Sequence, residues 1–118
     1  MSGSNSQFGA LLDSLTRQRG VIAGMVVSES DGIIIDSNLQ VGVQGDRVAA
    51  LAASLYRKAR MSATAAGLGT ASFFQLEATG GRLCAVGRND LVVVVVTEVQ
   101  VNVGLIRMEL LRAAERLA

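Results

Sequence analysis

The pattern of apolar and polar positions divides the chain into segments of different period. The clearest is Leu91-Val-Val-Val-Val-Val96, entered through Gly87-Arg88-Asn89-Asp90 and left through Thr97-Glu98. Six apolar residues without alternation, five of them β-branched and bounded by turn formers, predict a strand buried on both faces. Layers must then cover the sheet from each side.

Ahead of that run, Phe8, Leu11, Leu12 and Leu15 fall at the spacing of one helical face, and Arg17-Gln-Arg-Gly20 supplies the stop. Val21 to Val27 reads as a strand, Glu29 to Gly32 as a turn and Ile33 to Ser37 as a second strand. Asp31-Gly32 provides the hairpin signal, because both residue types tolerate positive φ. From Asp46 to about Ala66 the pattern becomes helical. Val48, Leu51, Ala52, Leu55, Ala59, Ala63 and Ala66 form the expected apolar face, with Arg47, Ser54, Arg57, Lys58 and Met61 mainly elsewhere. Gly67-Leu68-Gly69 ends this helix through glycine's access to left-handed backbone.

Ala71 to Ala78, the turn Thr79-Gly80-Gly81, Arg82 to Val86 and the valine run then read as an antiparallel meander. Val103, Ile106, Leu110, Ala113 and Leu117 close the chain as an amphipathic helix, leaving Arg107, Glu109, Arg112, Glu115 and Arg116 to water. The order is α-β-β-α-β-β-β-α. It predicts an α/β (α+β) fold with a five-stranded, mainly antiparallel sheet and helices on both faces.

Length and composition narrow the function. The 118 residues suit one domain spanning 1–118, and with three Phe, one Tyr and no Trp its core must be aliphatic. A net charge of +1 provides no field for nucleic acid or an anionic membrane. No apolar run approaches the ~20 residues of a membrane-spanning helix. Met1 to Ser6 lacks the charged start and apolar stretch of a secretory signal, so the expected location is cytoplasmic.

The absence of His removes Ser-His and Cys-His nucleophilic pairs and the commonest metal ligand. Cys84 is alone, which excludes an intrachain disulfide or a cysteine cluster and leaves it as a small core hydrophobe. Gly67-Leu68-Gly69 lacks the context of a phosphate-binding loop, and Asp31 and Asp36 suit a turn and a strand end better than paired acid-base work. No catalytic residue, cofactor or metal is expected. Arg47, Arg57, Lys58 and Arg60 share the long helix, either as a solvated surface or as a face for an acidic partner. Ala49, Ala50, Ala53 and Ser54 are short enough to admit a second helix.

Ser28-Glu-Ser-Asp-Gly-Ile-Ile-Ile-Asp-Ser37, the alanine-rich middle helix, Gly80-Gly81 and the turn before Leu91 together resemble the roadblock (dynein light chain) family. The likeness covers nearly the whole chain and is greatest to bacterial homodimeric members of the MglB type. It implies a sheet in the order second, first, fifth, fourth, third strand. It implies no enzymatic activity, and a homodimer joined edge to edge through the third strands. Ser72, Phe73, Phe74 and Leu76, with Leu55 and Ala59 of the packed middle helices, would form that interface. Thr70 to Leu76 contains no Pro or Lys to discourage edge pairing.

The resemblance further implies that a small Ras-like GTPase or a scaffold protein docks on the paired helices at Arg47, Ala50, Ser54, Arg57, Lys58 and Met61. Any stimulation of GTP hydrolysis would then come from positioning the GTPase's own residues, with Arg57 as an arginine finger the alternative. A structural adaptor with no GTPase contact is the rival reading of function.

Overall fold

The computed structural model describes residues 7–117. Their elements are α1 (Gly9–Thr16), β1 (Val21–Ser28), β2 (Ile34–Leu39), α2 (Gly45–Ala65), β3 (Phe74–Ala78), β4 (Gly81–Arg88), β5 (Leu91–Thr97) and α3 (Val103–Glu115). The strands form one sheet in the order β2-β1-β5-β4-β3, and every neighbouring pair is antiparallel. This is the order the family resemblance implied, with the valine run at the centre.

Both faces of β5 are covered. Val93 and Val95 join Val26, Cys84 and Val86 against Leu11, Leu12 and Leu15 of α1 and Ile106 and Leu110 of α3. Val92 and Val94 join Met25, Val27, Leu83 and Ala85 against Ala49, Ala52, Ala53 and Tyr56 of α2. Each valine from 92 to 95 is fully buried, and burial of such a side chain is worth roughly 1.5–3 kcal/mol. Gly24 lets α1 lie close on β1, since a Cβ there would stand 3.2 Å from Thr16 Cγ2. Asn102 caps α3 by accepting the Leu105 N–H at 3.0 Å.

The buried stripe of α2 differs from the expected one. It consists of Ala49, Ala52, Ala53 and Tyr56, whereas Leu51 and Ala66 are exposed and Val48, Leu55, Ala59 and Ala63 are half-buried. Alanine's short side chain lets the helix backbone settle onto the sheet, which turns the bulkier Leu51 and Leu55 toward the flank. The helix ends as expected: Leu68 N–H donates to Ala63 O at 2.9 Å and Gly67 N–H to Thr64 O at 3.1 Å, with Gly67 at φ +77°. These two bonds make a Schellman cap.

The β1–β2 connection runs from Glu29 to Ile33. Gly32 alone of the Asp31-Gly32 pair takes positive φ, and Ser28 N–H donates to Ile33 O at 2.9 Å to close it. Pairing Val26 with Asp36 and Val27 with Ile34 leaves Ile35 as a bulge on β2, which continues to Leu39. Two-residue loops occur instead at β3–β4, around Thr79 and Gly80, and at β4–β5, where Asn89 and Asp90 have φ of 54° and 66°, as a type I′ turn requires.

β3 begins at Phe74, later than Ala71. Phe73 has turned to the opposite side of the sheet, where it packs against the α1–α3 core with the Arg107 guanidinium 5.8 Å from its ring centre. Glu109 is half-buried and faces Arg112 at 3.7 Å, so it is not simply left to water. Met1 to Ser6 lie outside the described residues. Among those described, no helix is long and apolar enough to cross a membrane.

Val94→Thr places a hydroxyl in the fully apolar layer beneath α2. The expected cost is about 1–3 kcal/mol, read as a lower urea midpoint with an unchanged m value.

Candidate partner-binding platform

α2 carries a flank that faces the β1–β2 loop. Ala50, Ala53, Ser54 and Arg57 lie there opposite Glu29 to Gly32, around a hollow of about 170 Å³. Gly32 makes the approach close, since a Cβ there would stand 3.4 Å from the Ala50 Cα while its φ of +68° already favours glycine.

Two arginines tie this loop to the helix. Arg60 donates through Nε and Nη2 to Glu29 Oε2 and Oε1 at 2.9 and 2.8 Å, and Arg57 Nη1 donates to the Ser30 carbonyl at 3.4 Å. The bidentate fork holds the Arg60 guanidinium protonated above its ordinary range, chiefly through its hydrogen bonds to Glu29. The loop is in turn tied to the β4–β5 turn. Glu29 N–H donates to Asp90 O at 2.9 Å, and the Ser28 and Ser30 hydroxyls donate to Asp90 Oδ2 at 3.4 and 3.2 Å. Tyr56 packs against Gly87, where an added Cβ would collide with its ring. Burial raises the pKa of the Tyr56 phenol, and the Gly87 N–H donating to it offsets part of that rise.

Arg47, Ala50, Arg57, Lys58 and Met61 are all exposed, and Ser54 is half-buried. Helical spacing puts Ala50, Ser54, Arg57 and Met61 on the flank toward the loop, and Arg47 and Lys58 on the outward crest. Leu55 and Ala59 are half-buried on the other flank. Phe74 and Leu76 pair with Ala85 and Leu83, which places them on the α2 side of the sheet. Leu55, Ala59, Phe74 and Leu76 therefore share one side of the molecule. Phe73 is on the other side, and Ser72 is exposed ahead of the strand.

Sequence reasoning did not find the Glu29–Arg60 tie, the Tyr56–Gly87 contact or the role of Asp90. The available signal was slight: one tyrosine in the chain, one turn from Arg60 on the same helix, and a glycine interrupting an otherwise apolar strand.

Comparison with known proteins gives a consistent picture. A family model described as Roadblock/LC7 domain matches residues 7–97. An uncharacterized protein of Methanocaldococcus jannaschii is 34% identical over 107 residues, covering 91% of this chain and 93% of its own. Among solved structures, Myxococcus xanthus MglB has a TM-score of 0.82 at 21% identity, covering 97% of this chain and 94% of its own. A structure of MglB with tetrameric arrangement has a TM-score of 0.80 at 18% identity, covering 92% of this chain and 83% of its own. At these identities the MglB likeness is one of fold.

Burial raises the pKa of both the Tyr56 phenol and the Cys84 thiol, from ordinary values of 10.0 and 9.0. An acid raised in the folded state contributes stability that is complete below its unfolded pKa and lost as pH climbs through the folded one. The urea midpoint should therefore fall as pH rises above about 9. Tyr56→Phe and Cys84→Ala should each flatten that fall, and an unchanged slope in both would refute the assignment.

Proposed function

The chain belongs to the Roadblock/LC7 domain family, and from that premise we propose that it is a non-enzymatic homodimeric regulator of the MglB kind. In this reading it presents a platform of two α2 helices to a small Ras-like GTPase in the cytoplasm.

The observation that carries the proposal is the inequality of the two sheet edges. β3 is regular along its whole pairing with β4, and its outer backbone groups are open to a further strand. Leu76 of β3 is 38% exposed on the side that α2 covers, and on α2 itself Leu51 is 46% exposed. β2 at the other edge is interrupted by its bulge at Ile35. Antiparallel pairing of β3 with a second copy extends the ladder and brings the two α2 helices together, so that the apolar flanks with Leu55 and Ala59 cover one another. The tetrameric arrangement of one MglB structure supports self-association through this fold.

The basic crest of Arg47 and Lys58, with Arg57 on the adjoining loop-side flank, suits an acidic partner surface. The Arg60–Glu29 fork would keep that crest in place while the partner docks. Because Arg57 has one long bond to a loop carbonyl, its guanidinium is exposed for contact.

Sedimentation at micromolar concentration should give a dimer. Leu76→Asp should convert it to a monomer with an unchanged circular dichroism spectrum, and a monomeric wild type would overturn the platform. Calorimetric titration with a small Ras-like GTPase from the same cell should show binding that depends on whether GDP or a non-hydrolysable GTP analogue is loaded. Arg57→Ala should weaken that binding about tenfold, the effect of losing one interface anchor. Binding that ignores the nucleotide, or none at all, would favour the adaptor.

A further inference from the structure

The Glu29–Arg60 tie forms one wall of a cavity that the platform does not use. Its volume is about 360 Å³, and it is lined by Tyr56 and Arg60 of α2, by Thr70 and Ala71 ahead of β3, and by Gly87 to Asp90 of the β4–β5 turn. That size falls within the range of small-ligand sites, ~300–1,000 Å³. The hollow has a cause in the sequence. Gly87 lacks the side chain that would displace Tyr56, and Gly67 and Gly69, at φ of +77° and +86°, bend the chain back so that Thr70 and Ala71 close the far side.

The hydrogen-bonding capacity of the wall is lopsided. Both oxygens of Glu29 are taken by Arg60, and Asp90 Oδ2 is taken by the Ser28 and Ser30 hydroxyls. Among the described residues Asp90 Oδ1 and the amide oxygen of Asn89 accept nothing from the protein, so some acceptors remain, though fewer than the donors. On the donor side, Arg60 uses Nε and Nη2 and keeps its other N–H groups. Among the described residues the side chains of Arg88, Asn89 and Thr70 make no hydrogen bond or ion pair. Arg88, Asn89 and Thr70 are exposed and their donors face water, so a group that replaces that water must accept several N–H and O–H donors at once. A planar carboxylate meets that description, because its two oxygens match the fork of a guanidinium. A phosphate dianion fits less well, since Glu29 and Asp90 stand in the same wall and repel a second negative charge.

We propose that this cavity is a carboxylate-binding site, with Arg88 and the unspent donors of Arg60 as its charged contacts and Thr70 and Asn89 as neutral ones. The carboxylate belongs either to an acidic side chain of a docked protein or to a free small acid. The two carboxylates and two arginines of the wall balance, so the site relies on directed hydrogen bonds more than on net charge, and its occupancy is reversible.

The test is a titration of the full chain followed by amide NMR at constant ionic strength, with acetate, succinate and the blocked side-chain mimic N-acetyl-glutamate methylamide as probes and chloride as the reference. Saturable shifts confined to residues 56–60, 70–71 and 87–90 are expected. Arg88→Gln should weaken the response at least tenfold while leaving the rest of the spectrum in place, and Arg112→Gln on the opposite face of the sheet should not. Stronger binding of the blocked glutamate supports the site and assigns it to a protein acid, whereas stronger binding of succinate supports it and assigns it to a free acid. Shifts that do not saturate, that chloride reproduces, or that survive Arg88→Gln would overturn the site.

Discussion

Everything in this molecule is arranged around a strand that cannot face water on either side. Val92 to Val95 are fully buried, alternate residues pointing into two separate aliphatic layers. With β5 in the middle, β1 and β4 must flank it and the shorter strands β2 and β3 fall to the edges. The helices then have no freedom of side: α1 and α3 fill one layer and α2 alone fills the other. A single helix covering a sheet face must lie close to it, which explains why alanines rather than leucines form its contact stripe.

That closeness leaves the outer surface of α2 available, and the loops hold it in register. Arg57 and Arg60 reach across to residues 27 and 31 positions earlier in the chain, and the loop they grip is tied to the β4–β5 turn through Asp90. Helix, loop and turn thus form one rigid corner. The Arg60–Glu29 ion pair is half-buried, with the Glu29 side chain only 13% exposed, and such a pair carries the cost of desolvating its charges. The value of this one lies in fixing direction, because a bidentate fork permits few orientations of the helix.

The parts of this design legible in the sequence are those written in local periods. The valine run, the leucine stripe of the first helix, the glycine stop after Ala65 and the amphipathic last helix all follow from spacing alone, and with them the order of elements. Of the buried face of α2 only Ala52 was legible. Ala49 and Ala53 carry no more hydrophobic signal than their exposed neighbour Ala50, while Leu51 and Leu55, which carry the strongest signal, sit on the flank. The start of β3 was missed for a related reason. Phe73 reads as a strand residue, yet its ring is claimed by Arg107, a contact that only the fold creates. The Glu29–Arg60 and Ser30–Asp90 contacts join residues 31 and 60 apart, a separation at which no periodicity in the chain can announce them.

The bulge at Ile35 has an effect on the scale of assemblies. A sheet with two regular edges can grow without limit, each added copy exposing the same edge that received it. Here only one edge is regular, so two copies that meet through it bury both regular edges and turn an interrupted strand outward at each end. Growth by that route would stop there, because the bulge in β2 offers no regular edge to a third copy.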